Sequence, residues 1–383
     1  MKSSNAGGKK LHERLTVARE SAGFSLTEAT QKLSFKHYQT LSAIEKGTRN
    51  VSANELISLA RLYGRTLDYF FETESRPDPI PLWRRATGSN VQKEQRQFLT
   101  FLENYSGLET LLGLRRRWKE IQTSLDRKDL TENGFDAADK LGSDIHKQLD
   151  LGSRPACNLL NVLENTLRVK ILHLPLGEDI SGASVVDDTL GVGILANAGN
   201  APWRRSFDLA HELFHLVTWN IFTHEEIGDG TKKTKPEQYA NIFASSLLLP
   251  QEHLIASLKE ISSHQEIKMV DVIEIAKDFK VSSDAVLWRL VNLKILKRAL
   301  VEKVLEDPEF RNLDRDMRRD LYEEYKPSKF PRRYISLACR CLIEGKISRG
   351  LFTEYMEIDR SEIDEYLLAE GFTGKNYEKI ATA

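Results

Sequence analysis

The most constraining feature of this chain is an apolar stretch, Phe207–Val217, that carries two histidines and a glutamate. His211 and His215 are four residues apart, so on an α-helix both imidazoles leave the same face and can bind one metal ion. Apolar side chains fill most of the other positions, which predicts a buried helix. Two histidines in a buried helix need a polar partner. Glu212, beside the first histidine, is suited to act as a general base toward a metal-bound water.

Two histidines leave a zinc site incomplete, so a third protein ligand has to come from elsewhere in the chain. Position 221, six residues after His215, is an isoleucine, which excludes the three-histidine arrangement of the HExxHxxGxxH type. A predicted loop supplies one group of weak candidates. They are His224, Glu225, Glu226 and Asp229.

A predicted helix between Pro236 and Pro250 supplies the other candidate. Glu237 and Asn241 lie four residues apart on one face of this helix. A carboxylate ligand together with an amide that orients a ligand histidine is a common division of roles around a metal. A glutamate in the first turn is, however, also favoured by the helix dipole alone. Spacing leaves both interpretations of Glu237 open.

Size and composition narrow the class of protein. The 383 residues and 43.7 kDa predict two to four domains. No apolar run approaches the roughly 20 residues of a membrane helix, and the first residues lack the apolar core of a signal peptide. Three cysteines are too few for a disulfide framework. We therefore expect a cytoplasmic protein that does not bind a membrane.

Hydrophobic periodicity and the placement of proline and glycine divide the chain into four segments. Residues 11–73 are predicted to form several short helices, and residues 74–150 a proline-containing linker followed by a charged helical spacer. Residues 151–255 combine predicted strands with helices, and residues 256–383 are helical. The predicted fold class is therefore mainly α with an α+β middle, an all-α head and an α-helical C-terminal region.

Several positions around the middle segment could serve a peptide substrate. Trp83–Arg85 is either a docking strand or the ordered end of the linker, and the sequence does not separate the two. The predicted strand Gly191–Asn197 could hold an extended peptide by strand addition. A second electrophile for an oxyanion is not evident. Arg204, Arg205 and Tyr239 are near the site in sequence, but packing or surface charge is the simpler interpretation of each.

The head has the pattern of two helices joined by a turn. A capping box, Ser25–Glu28, begins a first helix that runs through Leu33. A second helix is predicted over about Lys36–Lys46, with Gly47 at the position of a left-handed C-cap. Apolar residues at helical spacing would pack these helices against a third one. They are Leu26, Ala29, Leu33, Leu41, Ile44, Leu56, Leu59 and Leu62.

The head is also the basic part of the chain. Residues 1–73 carry 11 Lys and Arg against 7 Asp and Glu, a net charge of +4, whereas the whole chain has a net charge of −1. If the second helix enters a major groove, its first side chains meet base edges and phosphates. The predicted DNA-contacting residues are Lys36, His37, Gln39 and Thr40, with Arg49 and Asn50 on the backbone. A small helical bundle with a polar surface is the alternative.

Residues of about 11–71 resemble the XRE family of bacterial and phage helix-turn-helix regulators, notably at Ile44–Gly47 and Leu67–Phe70. The resemblance implies a double-stranded DNA operator as partner and a homodimer as a common binding form. One departure is a turn about one residue longer than usual, so the resemblance defines the base-contacting side chains only to within one position.

Residues of about 155–250 resemble the ImmA/IrrE family of bacterial metallopeptidases. The matching pieces are Arg154-Pro155, Asn158–Leu160, Ile180–Ser184, the segment from Phe207 to His215, and the segment from Glu237 to Pro250. The resemblance implies that His211, His215 and Glu237 bind the metal, which is Zn²⁺ with Mn²⁺ as an alternative. It further implies that Glu212 is the catalytic base, while Asn241 would orient a ligand histidine.

Both resemblances together imply a DNA-binding transcriptional regulator with a zinc-dependent endopeptidase domain. Members of the ImmA/IrrE family typically act on a repressor of the XRE type, in stress responses or mobile elements, so we expect a regulatory protein as substrate. The alternative is a non-catalytic regulator, or an antitoxin-like protein, whose peptidase fold is a sensor or a structural unit. The intact set of His211, Glu212, His215 and Glu237 favours the enzyme.

Overall fold

The chain divides into two compact units in the computed structural model. One unit contains the described residues up to 71 together with 91–107, and the other contains residues 81–84 together with the described residues from 108 onward. The structure describes residues 10–21, 24–33, 35, 37–63, 65, 67–71, 81–84, 91–114, 118, 121, 123, 125–177, 180–227, 234–261, 266–319 and 326–372.

The first unit is entirely helical in its described residues. Its helices are α1 (Leu11–Ser21), α2 (Leu26–Lys32), α3 (Tyr38–Glu45), α4 (Ala53–Tyr63), α5 (Leu67–Phe71) and α6 (Val91–Leu111), the last of which ends in the second unit. The predicted capping box is confirmed, since the Glu28 amide donates to the Ser25 hydroxyl and the Ser25 amide donates to the Glu28 carboxylate. Gly47 follows α3 with a φ of +70°, as predicted for a left-handed C-cap.

The core of the first unit contains the predicted apolar positions. Ala29, Leu41, Ile44, Leu56 and Leu59 are buried, and Leu26, Leu33 and Leu62 pack against them. The sequence did not indicate that a buried ion pair crosses this core. The Arg19 Nε donates to Glu45 Oε1 at 2.8 Å and thereby ties α1 to α3.

The second unit is built on a mixed sheet of four strands, in the order β1-β3-β4-β2. They are β1 (Leu82–Arg84), β2 (Lys170–Leu174), β3 (Gly182–Asp187) and β4 (Gly191–Asn197). β3 pairs antiparallel with β1 and with β4, whereas β2 pairs parallel with β4. Trp83 therefore belongs to a docked strand, and of the two interpretations of Trp83–Arg85 this is the one the described residues adopt. Arg85 lies outside them.

Helices surround this sheet and continue to the end of the described chain. They are α7 (Arg127–Gln148), α8 (Pro155–Asn161), α9 (Pro202–Val217), α10 (His224–Ile227), α11 (Lys235–Leu248), α12 (Gln251–Ile261), α13 (Met269–Asp278), α14 (Ser283–Asn292), α15 (Arg298–Glu306), α16 (Pro308–Met317), α17 (Arg332–Ile343), α18 (Arg349–Met356) and α19 (Ile363–Ala369). A π-helical turn, Val162–Thr166, and a 3₁₀ turn, Arg360–Glu362, complete the set. The predicted fold class, mainly α with an α+β middle, is confirmed.

The expectation that the charged region before residue 150 is a spacer or an interaction element, and not part of a core, is wrong for α7. Leu130, Ala138, Leu141 and Ile145 of this helix belong to the same buried core as α9 and α11. The Tyr239 hydroxyl donates to the Leu130 carbonyl at 3.2 Å, which fixes α7 against α11. Among the described residues, none of the helices is both long and apolar enough to cross a bilayer.

Candidate metal centre and recognition helix

The two helices that carry the predicted metal ligands pack against each other in the core. Both begin with proline in their first turn, where the missing N–H costs no hydrogen bond. His211 and His215 lie on one face of α9 and are 0% and 3% exposed. Glu237 lies in the first turn of α11 and is half-buried. The fold thus brings the two histidines and the glutamate together from positions up to 26 residues apart.

The three side chains form a triangle, in which each imidazole faces a different carboxylate oxygen of Glu237. The Nε2 atoms of His211 and His215 are 3.1 Å apart, and they lie 3.2 Å and 3.0 Å from the two carboxylate oxygens of Glu237. Tetrahedral zinc with ligands at about 2.0–2.2 Å separates its donor atoms by about 3.3 Å. Two imidazoles and one carboxylate are zinc donors, and three of them leave a fourth position open. The donor set therefore fits a zinc ion.

A hydrogen bond orients the His211 ring within the triangle. The Asn241 Oδ1 lies 3.0 Å from the Nδ1 of His211. Because an amide oxygen only accepts, this Nδ1 carries the proton, and Nε2, on the side of His215 and Glu237, is the atom that can bind a metal. The Nδ1 of His215 is buried and has no hydrogen-bond partner among the described residues. Burial by itself would raise the pKa of Glu237, but the charge and hydrogen bonds of His211, with the hydrogen bonds and charge of His215, hold that pKa far below its usual range.

Glu212 lies on the sheet side of α9 and is 1% exposed. Its carboxylate lies against β3 at Gly182. A Cβ at position 182 would be 3.6 Å from the Glu212 Oε1 and only 2.6 Å from the Leu195 carbonyl oxygen. Only glycine fits there, and it lets β3 pass close to the glutamate. The predicted base is therefore held between α9 and the sheet.

The loop candidates for a third ligand do not join this triangle. Among the described residues, His211, His215 and Glu237 form the one group of three or more His, Cys, Asp or Glu whose donor atoms converge. Glu226 instead caps the first turn of α10, where it accepts from the Thr223 amide, and it pairs with Arg127. The side chains of His224 and Glu225, and the whole of Asp229, lie outside the described residues.

Two of the three side chains considered for oxyanion stabilisation are engaged elsewhere, as the simpler interpretation expected. The Arg205 guanidinium donates to the Asn200 carbonyl at 2.6 Å, and the Tyr239 hydroxyl donates to α7. Arg204 is exposed and donates to the Ser181 hydroxyl at 3.3 Å.

The prediction that Gly191–Asn197 holds an extended peptide by strand addition is wrong. This segment is β4, and it has hydrogen-bonded neighbours on both sides, β3 and β2. A strand in that position has no open edge to offer. The alternation of apolar residues predicted the strand but carried no information about its neighbours.

The predicted DNA-contacting residues surround the first turn of α3. The helix begins at Tyr38 and not at about Lys36, because His37 is extended (φ −144°) and serves as the N-cap. Gln39 is exposed and Thr40 is half-buried, whereas Lys36 lies outside the described residues. The sequence reasoning missed Tyr38, which is 53% exposed at the helix start. The signal available in the sequence was an aromatic residue near the start of the predicted helix.

Arg49 and Asn50 follow α3 and are exposed, in keeping with contacts to a phosphate backbone. The Arg49 guanidinium donates to the Glu55 carboxylate at 2.9 Å, and Glu55 also accepts from the Ser52 amide at the start of α4. Arg49 is thus held in place by the next helix.

Comparison with known families identifies both regions. Residues 164–291 match the family model described as the IrrE N-terminal-like domain, Peptidase_M78. Residues 17–70 match the model described as Helix-turn-helix, HTH_3. The resemblances seen in the sequence are confirmed, and the IrrE-like match continues beyond residue 250 through most of α14. A search of curated protein sequences finds no match.

Proposed function

Because the chain joins an XRE-type helix-turn-helix to an IrrE/ImmA-like domain of a peptidase family, we propose that it is a DNA-binding regulator with a zinc-dependent endopeptidase activity. The observation that carries this proposal is the convergence of His211, His215 and Glu237 in the core of the second unit, with Glu212 adjacent. Zinc suits these donors and their spacing, with Mn²⁺ as the alternative.

The proposed ligand residues lie close enough together to share one metal ion. His211, His215 and Glu237 would hold the ion, and Asn241 would keep the His211 ring in the ligating tautomer. When bound, zinc supplies Lewis acidity toward water and toward a peptide carbonyl. The packing of α9 against α11 sets the spacing of the ligands, so their geometry depends on the core and not on a loop.

Glu212 is the residue proposed to move the proton. Its carboxylate lies next to the ligand face of α9, where it can accept a proton from the attacking water and deliver it to the leaving amine. Burial between α9 and β3 restricts the side chain to this neighbourhood. Glu212→Gln keeps the shape and removes the base, so it separates metal binding from hydrolysis.

The first unit supplies DNA binding. We propose that α3 enters a major groove with Tyr38, Gln39 and Thr40 toward the bases, while Arg49 and Asn50 contact the backbone. A peptidase tethered to an operator works at a high effective concentration on proteins bound nearby. The proposed substrate is therefore a regulatory protein that binds DNA, of which a repressor of the XRE type is the example implied by resemblance.

The test is mass spectrometry of protein N-termini in cells that produce the wild-type chain, Glu212→Gln or Glu226→Gln, with and without DNA damage. Glu226 is a matched control because it is a helix-capping glutamate on the surface. New termini in the wild type and in Glu226→Gln, and their absence in Glu212→Gln, are expected. Identical termini in all three under both conditions would reject the peptidase and favour the non-catalytic regulator or antitoxin-like protein.

A further inference from the structure

We propose that β1 occupies the peptide-binding edge of the candidate peptidase, so that the chain's own linker strand closes the site until it is displaced. This inference rests on the proposed function and adds its regulation.

The edge nearest to the proposed base is the outer edge of β3. α9 packs on β3 and β4, and Gly182 at the start of β3 lies against the Glu212 carboxylate. β4 is paired on both sides. Within the described part of the second unit, an extended peptide that is to run past Glu212 and add to the sheet therefore has to pair with β3.

That edge is taken by the chain itself. β1 lies antiparallel to β3, with Leu82 opposite Ser184, Trp83 opposite Ala183 and Arg84 opposite Gly182. The backbone at Arg84 is thus one strand spacing, about 4.8 Å, from the glycine that contacts the base. An extended substrate on β3 would use the same backbone N–H and C=O groups. One edge cannot pair with two strands, so β1 excludes a peptide there.

The opposite edge of the sheet, the outer edge of β2, is held by buried polar contacts. On β2 the His173 amide donates to the Lys329 carbonyl at 3.0 Å, so the segment before α17 lies along this edge. Lys170 of β2 and Glu109 are both 2% exposed and are paired at 3.1 Å, and Arg333 also pairs with Glu109. Breaking such a buried ion cluster would leave several charges without their partners.

The strand that covers the edge of β3 is short. It is three residues long, Leu82 is buried at 6% exposure, and Trp83 is half-buried. A strand this short contributes little independent stability. The chain enters the second unit for this strand and then continues into α6, so both ends of β1 lead to the DNA-binding unit.

The test uses a strand that can be locked and released. In a Cys157→Ser background, which removes the exposed thiol, Leu82→Cys with Ser184→Cys places two thiols at directly opposed positions. The Cα atoms of such a pair lie about 4.5–5.5 Å apart, within the range of a disulfide. The Ser184 hydroxyl is buried with no partner among the described residues, so a thiol replaces it at little cost. Oxidation locks β1 on β3, and reduction releases it.

A variant in which β1 leaves β3, called the opened form, is the opposite of the locked protein. Leu82→Asp would bury an unpaired carboxylate if β1 stayed docked, so the strand should leave. Leu111→Asp, at a leucine that is 44% exposed, is the matched control. Circular dichroism melts and zinc content establish that each variant is folded. The locked protein, compared before and after reduction, decides the question even if Leu82→Asp fails to fold.

The first readout does not depend on catalysis. In a Glu212→Gln background, fluorescence anisotropy measures binding of a labelled peptide of the linker sequence 80–87, IPLWRRAT. The Leu82→Asp protein should bind this peptide at least about 10-fold more tightly than the protein with Leu82, a difference of about 1.4 kcal/mol. The oxidised disulfide variant should not bind the peptide until the disulfide is reduced. Equal binding by the locked and released forms, or binding by neither released nor opened protein, overturns the proposal.

The second readout is cleavage of a proteome-derived peptide library by the zinc-loaded proteins with Glu212 intact. Cleavage by the released and opened forms, and none by the oxidised lock, is expected. Equal cleavage by locked and released protein would support the peptidase and overturn the inference. No cleavage by any form, with peptide binding still controlled by the lock, would reject the proposed activity while the occupied edge stands.

Discussion

The candidate metal centre and the candidate recognition helix, α3, carry their proposed functional side chains in opposite surroundings. At the metal centre His211 is 0% exposed, and its two ring nitrogens face Asn241 on one side and His215 and Glu237 on the other. On α3 the side chains of Tyr38 and Gln39 project into solvent. Burial restricts each side chain to one arrangement, whereas exposure leaves many rotamers that only a bound DNA would select. The first site is preformed, and the second is adaptable.

A third buried histidine shows that burial alone does not make a metal site. His173 is 6% exposed, and burial, with the charge of Arg205, lowers the pKa of this imidazole to about 4 although the Ser328 backbone favours its protonated form. In the described structure no pair of further ligands converges on it. His173 is therefore a neutral structural histidine, whereas His211 and His215 are distinguished by the carboxylate that joins them.

The largest expected effect is the loss of metal on removing a ligand. His211→Ala leaves two donors, and we expect the bound zinc to fall from about one ion per chain to near zero, since even outer residues of a metal site change affinity about 10–100-fold. Plasma mass spectrometry of the purified, refolded and zinc-equilibrated protein measures this. His253→Ala, a histidine of α12 outside the triangle, should keep the metal. Equal zinc in both variants would remove His211 from the site.

The next effect is on stability and concerns His173. Its folded pKa is about 4 and its unfolded pKa about 6.5, so between these values the unfolded chain binds the proton and the folded chain does not. The free energy of unfolding therefore falls as the pH drops from 7 to 4, by about 3 kcal/mol from this group. His173→Gln removes that contribution and leaves other groups with shifted pKa values, such as the half-buried Glu164, unchanged.

Urea unfolding of both proteins at pH 7 and pH 4 measures the difference. The wild type should lose more stability than His173→Gln over this interval. The same loss in both would mean that His173 titrates equally in the folded and unfolded chain.

A smaller effect is expected from the residue that orients His211. Asn241→Ala removes the acceptor for Nδ1–H, so zinc affinity should fall about 10–100-fold while the stoichiometry at high zinc is retained. Asn241→Asp keeps an oxygen in place and should keep most of the affinity. Competition with a calibrated chelator measures both. If the alanine variant binds as tightly as wild type, the hydrogen bond at 3.0 Å is not part of the site.

The smallest effect is expected on the DNA side. Arg49→Ala removes one exposed cation next to α3 and should reduce the slope of log affinity against log salt by about 0.9 for a selected operator. Gln39→Ala should change the preferred bases and leave the slope unchanged, because a neutral side chain displaces no counterion. Titrations at several salt concentrations distinguish the two. An unaltered slope in Arg49→Ala would show that its pairing with Glu55 persists on DNA.

The features that the sequence predicted are those set by local spacing and burial. The four-residue intervals of His211 to His215 and of Glu237 to Asn241 fix which side chains share a helix face. The capping box of Ser25 and Glu28 likewise depends on four consecutive residues. Spacing alone left the role of Glu237 undecided, because the helix dipole also favours a glutamate there. Only the resemblance to a family implied that α9 and α11 converge.

The features that were missed depend on distant contacts or on exposed ends. β1 and β3 are separated by about one hundred residues, and nothing local marks Leu82 as the partner of Ser184. α7 contains many charged residues, and for that reason its buried apolar face was not recognised in the sequence. α3 begins later than predicted because His37 adopts an extended conformation as the N-cap. The exact residue at which a helix begins is only weakly determined by the sequence.

The most direct test of the account is an anomalous difference map, measured at the zinc absorption edge, from crystals of the full-length protein equilibrated with zinc. The account predicts one strong peak about 2.0–2.2 Å from the Nε2 atoms of His211 and His215 and from a carboxylate oxygen of Glu237. A peak beside His224 or Asp229, or an intact triangle without a peak in folded, zinc-equilibrated protein, would contradict it.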